Sequence, residues 1–221
     1  MWLAMNECYR VLCPGGRIAV NVPQGYDRPG NGGYKTIDSD FVGIIQGQGF
    51  ELRGHIVWHK LGMSPQGRGT AWGSWKSPSD PSLRDIHEVI IVAHKESSKM
   101  PVTGEITIDR QTFLDSTKSV WDILPVSSHW HPAPFPDEIP RRLIELYTFS
   151  NAVVLDPFCG SGTTARVAAA LGRIGVGLDL RADYLKRADA DRIDLEHWVR
   201  GIGIRLPEPE QPLPLFRKGS T

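Results

Sequence analysis

Asp156, Asp179 and the glycine turn between them are the residues of this 221-residue chain whose types and spacing best suit chemistry. The run VVLDPFCGSGTT sets three apolar residues, Val153 to Leu155, ahead of an acid and a Gly-Ser-Gly turn. Such a run suits a strand covered on both faces, with Asp156 at its carboxyl end. Gly160 and Gly162 let backbone approach a ligand more closely than side chains allow. Ser161, Thr163 and Thr164 are able to cap the helix that follows from Ala165, whose first amides point into the turn. A second apolar run, GRIGVGLDL, ends in Asp179, about twenty residues after the turn, where a doubly wound fold sets a carboxylate for ribose hydroxyls. The turn lacks the Lys of a phosphate-binding loop and the full G-x-G-x-x-G of a dinucleotide site. An acid at its start repels a pyrophosphate and accepts hydrogen bonds from an ammonium, so a zwitterionic, positively charged ligand fits better.

The segment Asp-Pro-Phe-Cys-Gly-Ser-Gly-Thr-Thr resembles the S-adenosylmethionine motif of the DNA amino-methyltransferases, which methylate adenine N6 or cytosine N4. The resemblance implies that Asp156, Phe158, Gly160, Ser161, Gly162, Thr163 and Asp179 hold the cofactor. The plainer reading makes Asp156 a turn cap and Asp179 a solvated strand end. HPAPFPDEIPRRLIELYT, His131 to Thr148, is similar to the family element ahead of the cofactor strand, and by that likeness Pro132 to Phe135 lie against the methionine part of the cofactor. Core packing is an equal reading for Phe135. In the same segment Ile139, Leu143, Leu146 and Tyr147 recur at helical spacing, and Pro140 is tolerated only in a first turn, so a helix begins near Asp137.

Those elements need a scaffold, and the chain is long enough for one substantial core. Its 25 basic and 25 acidic residues balance, so bulk charge does not advertise nucleic-acid binding. Three cysteines without metal spacing suit a reduced cytoplasm, and no long uncharged apolar stretch spans a bilayer. MWLAMNECYRVL reads as the end of an amphipathic helix closed by Pro14 to Gly16, followed by a strand from Arg17. Residues 23 to 34 read as a loop, and Asp38 or Ser39 as the cap of a helix reaching about Gln48. Residues 49 to 60 and 86 to 95 are strand candidates expected to pair as a hairpin at the sheet edge. A helix is expected from about Arg181 to Arg200, before a proline-rich tail over 201 to 221.

The order of these elements is similar to that of family members whose catalytic half precedes the cofactor half. The resemblance implies an α/β fold: a circularly permuted, Rossmann-like methyltransferase sheet with helices on both faces. A single methyltransferase domain over 1 to 200 would comprise a catalytic half (1 to 96), a connecting or target-recognition segment (97 to 130) and a cofactor half (131 to 200). Within 121 to 125, TrpAspIleLeuPro is similar to a recurring family turn and is expected to pack rather than to read bases. The family's catalytic Asp, Asn or Ser followed by Pro-Pro and an aromatic occurs nowhere in the sequence. In the family those groups hold the base amine in line with the methyl group, and orientation of this kind supplies about 7 to 11 kcal/mol of a barrier. Met1 therefore reads as a false start or a fragment boundary, with a missing N-terminal segment or a second chain completing the sheet. A pseudoenzyme is the rival reading.

Between Leu52 and Ser79 there are four bases, Arg53, Lys60, Arg68 and Lys76, and no acid, interleaved with Trp58, Trp72 and Trp75. Positive side chains contact phosphates and aromatics stack on bases, so this stretch, with its loop at 61 to 82, is the DNA-facing candidate. Arg68, Trp72, Trp75 and Lys76 are the expected DNA contacts. Anchoring on the core is an equal reading for the tryptophans. Asp85, His87 and Glu88 read as structural hydrogen-bonding residues rather than a metal set. The resemblance implies transfer of a methyl group from S-adenosylmethionine to an amine of a base flipped from double-stranded DNA, without metal, in a restriction and modification setting. A non-catalytic subunit that binds cofactor and DNA is the alternative, and an enzyme of RNA or small molecules a second rival.

Overall fold

The computed structural model describes residues 1–28, 33–61, 76–78, 83, 85–126, 133–181 and 184. In chain order they form α1 (Trp2–Val11), β1 (Arg17–Pro23), β2 (Gly25–Arg28), β3 (Gly33–Thr36), α2 (Ile37–Gly47), β4 (Phe50–His59) and β5 (His87–Lys95). There follow α3 (Arg110–Ser116), β6 (Val120–Asp122), α4 (Glu138–Tyr147), β7 (Val153–Asp156), α5 (Thr163–Ala170) and β8 (Ile174–Gly177).

The continuous apolar run of β5 dictates its place. Val89 to Ala93 are all buried, and a strand that is apolar on both faces is stable only inside a sheet. β5 accordingly lies between β1 and β4, antiparallel to both, and β6 joins the far side of β4 in parallel. β4 and β5 do pair, but as interior strands rather than the expected edge hairpin. Local chain order favours a hairpin, whereas burial of both faces of β5 requires β1 on its other side. The stretch expected as a loop over 23 to 34 carries a second departure, because β2 and β3 pair there as an antiparallel hairpin. The residues between these two strands, 29 to 32, lie outside the described residues.

Alternation along the strands sends two sets of side chains to opposite faces. Val22, Ile45, Phe50, Val89, Ile91 and Ala93 pack under α1 and α2, together with Tyr9, Phe41 and Val42. On the other face Ile56, Trp58, Ile90, Val92, Trp121 and Ile123 pack against Ile139, Leu143, Leu146 and Tyr147 of α4. These four are the residues whose helical spacing marked the segment, and Pro140 sits in the first turn. Trp121, in the segment likened to a family turn and expected to pack, lies on β6, fully buried, with its indole N–H donating to Ser116 O at 3.2 Å.

α4 also reaches the second sheet. β7 and β8 pair in parallel, and Ile144 of α4 packs with Val167 and Ala168 of α5 and with Val154 of β7. Arg166 on α5 meets Asp137, the cap residue of α4, at 2.6 Å. Gly175 lets α5 lie directly on β8, since a Cβ there would stand 2.3 Å from Ala165 O. The strands described thus form a four-stranded sheet, the β2–β3 hairpin and a separate β7–β8 pair, with α4 packed both on the four-stranded sheet and on α5 and β7. The expected helix over 181 to 200 and the tail fall outside the described residues, save for 181 and 184.

Candidate cofactor site and DNA-facing edge

The turn after β7 is built as its glycines require. Gly160 has φ 51° and Gly162 φ 80°, left-handed conformations that glycine adopts without a Cβ penalty. Gly162 is itself the N-cap of α5, with no side-chain capping bond. The capping expected of Ser161, Thr163 and Thr164 is therefore absent. The Ser161 and Thr163 hydroxyls lie 3.3 Å apart, and the Thr164 hydroxyl instead donates to Asp156 Oδ2 at 2.6 Å. Ser161 stands one residue before that cap and Thr163 and Thr164 lie inside the first turn, so none of the three occupies the capping position.

Both acids address this turn. Asp156 Oδ1 accepts the Phe158 N–H at 3.0 Å, and Asp179, two residues beyond β8, accepts the Gly160 N–H at 2.9 Å and the Arg181 N–H at 2.8 Å. Each carboxylate thus makes two bonds within the chain and keeps acceptor capacity for a ligand, out of about four lone-pair sites. Phe158 stands 54% exposed beside them. Phe135 packs at the margin of the α4 core. Pro132 lies outside the described residues.

Cys159 sits buried beneath the turn. Burial first, then the charges of Asp156 and Asp179, push its thiol from an ordinary 9.0 up to about 11. The native state therefore keeps a proton that the unfolded chain releases near pH 9. Its contribution to stability is accordingly level below about pH 9 and falls as pH rises towards about 11. Urea unfolding at about pH 8 and about pH 10 should show a larger loss for the wild type than for Cys159→Ala. An identical loss in the two proteins would remove Cys159 as the cause. Burial also raises the Cys8 thiol on α1, with the charges of Glu7 and Asp156 adding to it.

The basic and aromatic stretch divides. Trp58 is 2% exposed in the core, its N–H donating to Ile123 O at 2.8 Å, so it is a core residue. Lys60, expected to meet phosphate, is 5% exposed: its ammonium lies 4.7 Å over the Trp58 ring and pairs with Glu88. Glu88 Oε2 in turn accepts from the Asn21 side-chain amide at 2.5 Å. Period-two alternation in β4 puts Lys60 on the face of Ile56 and Trp58, the sequence signal that separates it from the loop. Asn21 carried no such signal, because its partner is 67 positions away. Arg53 is tied to Ser98 O at 3.2 Å, and His59 Nδ1 meets Asp122 Oδ1 at 2.6 Å. Lys76 is exposed; Arg68, Trp72 and Trp75 lie outside the described residues.

Comparison with known proteins places this architecture. The family model for DNA methylases matches residues 3–190. The chain belongs to that family. Among DNA methylases it is 28% identical over 209 residues to the type II beta methyltransferase M.BslI of a Bacillus species, covering 89% of this chain and 23% of that one. It is 29% identical over 188 residues to the type II methyltransferase M.MjaI of Methanocaldococcus jannaschii, covering 79% and 60%. The chain thus spans a quarter to three-fifths of the length of these curated relatives. A DNA modification methylase of Thermus thermophilus, solved in complex with S-adenosyl-L-methionine, superimposes with a TM-score of 0.69 at 26% identity, covering 90% of this chain and 75% of that one. Like that structure, this member of the DNA methylase family is a mixed α/β protein of Rossmann-like type. No helix among its described residues is long and apolar enough to cross a membrane.

Proposed function

We propose that this chain is the cofactor-binding and DNA-facing body of an S-adenosylmethionine-dependent DNA methyltransferase that acts on the exocyclic amine of adenine N6 or cytosine N4. The convergence of Asp156 and Asp179 on the left-handed turn at Gly160 and Gly162 carries the reading. The ligand fits this cradle: Asp156 and Asp179 have acceptor positions for an ammonium and ribose hydroxyls, and the exposed Phe158 ring offers an apolar wall. Pro132, Phe135, Ser161 and Thr163 complete the proposed site. When bound, the cofactor supplies a methyl group on a sulfonium. The chain's own residues orient it and exclude water. With all three cysteines free, a reducing cytoplasm suits the protein.

The proposed partner is double-stranded DNA with its target base flipped out, held in part by Arg68, Trp72, Trp75 and Lys76. Domain limits of 1 to 200, with a tail beyond, belong to the same reading. The catalytic groups come from elsewhere, either a second chain or a further segment of this protein that adds a strand. Two observations support this. Among the described residues β1 and β6 of the four-stranded sheet and β7 and β8 of the smaller pair each leave one edge unpaired, and Val153 and Leu155 on β7 are 53% and 39% exposed. An open apolar edge of this kind is a template for another strand. The same edges favour the alternative of a non-catalytic subunit within a larger complex.

Two measurements test the reading. Calorimetry of the chain with S-adenosylmethionine should show saturable one-to-one binding, and no binding heat at any temperature would refute the cofactor assignment. Transfer of labelled methyl groups to unmethylated DNA by the chain alone should stay at background. Robust incorporation would show that the catalytic groups are present after all.

A further inference from the structure

The Lys60, Glu88 and Asn21 chain occupies one end and one face of the main sheet. β1, β4 and β6 run the same way, so Asn21, Lys60 and Asp122 all stand near their carboxyl ends, with the amino end of β5 beside them. Ala19 and Asn21 alternate with Ile18, Val20 and Val22, which pack under α1 and α2; Asn21 and Glu88 therefore share the face of α4. Glu88 uses its two oxygens separately, Oε1 for buried Lys60 and Oε2 for Asn21. A carboxylate only accepts hydrogen bonds, so the Asn21 atom 2.5 Å from it is the amide nitrogen. The orientation of the exposed amide is thereby fixed, and its Oδ1 points away from Glu88 with no donor among the described residues.

We propose that Asn21 is a specificity-determining residue whose Oδ1 accepts a hydrogen bond from the exocyclic amine of an extrahelical base, with Glu88 and Lys60 as its positioning residues. The inference rests on the DNA reading above. A preorganised acceptor discriminates because a ligand without the donor leaves it unpaired in a desolvated contact. The charge beneath decides which donor fits. Lys60 neutralises Glu88, so no net negative charge attracts an ammonium, and a neutral amine is the matching ligand. The location agrees, since Asn21 and Lys60 stand at the roots of the glycine-rich stretch and of the segment carrying Arg68, Trp72 and Trp75. Charge on Glu88 also polarises the Asn21 amide, which strengthens its oxygen as an acceptor.

The test uses the full chain and paired single-stranded oligonucleotides of about ten nucleotides, a length of the order of one binding site. One pair is oligo(dC) and its counterpart with 2-pyrimidinone bases; the other is oligo(dA) and its counterpart with unsubstituted purine. Each counterpart lacks only the amine. By fluorescence anisotropy the wild type should prefer an amine-bearing oligonucleotide in at least one pair by about tenfold, the scale of one discriminating hydrogen bond. Asn21→Ala should bring that ratio to about one while leaving affinity for the counterpart and the thermal midpoint unchanged. Glu88→Gln, which lets the Asn21 amide turn over, should lower the ratio by several-fold. A ratio that survives in Asn21→Ala overturns the inference and leaves the DNA reading standing, as does an equal loss for both members of a pair. A wild type that binds none of the oligonucleotides, or no duplex DNA, overturns both.

Discussion

Asp179→Ala should weaken S-adenosylmethionine binding by about a hundredfold, measured by calorimetry. The carboxylate has two tasks. It accepts the Gly160 and Arg181 amides, holding the far side of the turn in place, and its remaining lone pairs face the proposed ribose position. Hydrogen bonds to a charged group are worth about 1.5–3 kcal/mol each, and about 1.4 kcal/mol is a factor of ten. Loss of the ribose contacts alone therefore reaches the stated scale. Asp179→Asn keeps the shape and one acceptor but sets an amide against an amide, so an intermediate loss of about tenfold is expected. The urea midpoint should change little in Asp179→Asn, which separates loss of contact from loss of fold. Equal cofactor affinity in wild type and Asp179→Ala would remove Asp179 from the site.

Trp121→Ala should cost about 3–5 kcal/mol of unfolding free energy, by urea titration with an unchanged slope. Its side chain is 0% exposed between Trp58 and α4, and the Arg142 guanidinium lies 5.3 Å from its ring centroid. Truncation leaves a cavity, strands the Ser116 carbonyl and removes the surface on which α4 seats. Against a total stability of about 5–15 kcal/mol this is a large share. Val120, its neighbour on β6, is 52% exposed, and Val120→Ala should stay within about 0.5 kcal/mol. A loss below about 1 kcal/mol for Trp121→Ala would mean that the region collapses around the deletion and that α4 is not held through this ring.

Where a signal is local, the sequence displays it. The glycine turn, the amphipathic face of α4 and the apolar run of β5 each depend on residues within a few positions, and each stands where its pattern requires. The departures arise from distant partners. β5 is interior because β1, about 70 residues earlier, covers its second edge. Lys60 leaves the DNA-facing set because Glu88 claims it across the sheet. At helix ends a second cause operates: side-chain caps compete with backbone geometry. Thr36 rather than Asp38 or Ser39 begins α2, with Asp38 and Asp40 in its first turn where the helix dipole favours acids. Gly162 begins α5 for the reason its φ supplies.

The junction between β4 and β5 carries a consequence for how such a protein diversifies. His59 pairs with His87, the Lys60 amide donates to Ile86 O at 2.9 Å, and the Lys60 ammonium meets Glu88, so the chain is fastened on both sides of the intervening segment. Once two ends are fixed in this way, doubling the length between them costs only about 0.6 kcal/mol of closure entropy. Sequence between Leu61 and Asp85 can then be lengthened, shortened or exchanged among lineages at little thermodynamic cost. If the DNA contacts proposed above lie in that cassette, a new target would be reached by changing it while the sheet, and the turn at Gly160 and Gly162 linked to it through α4, are inherited unchanged.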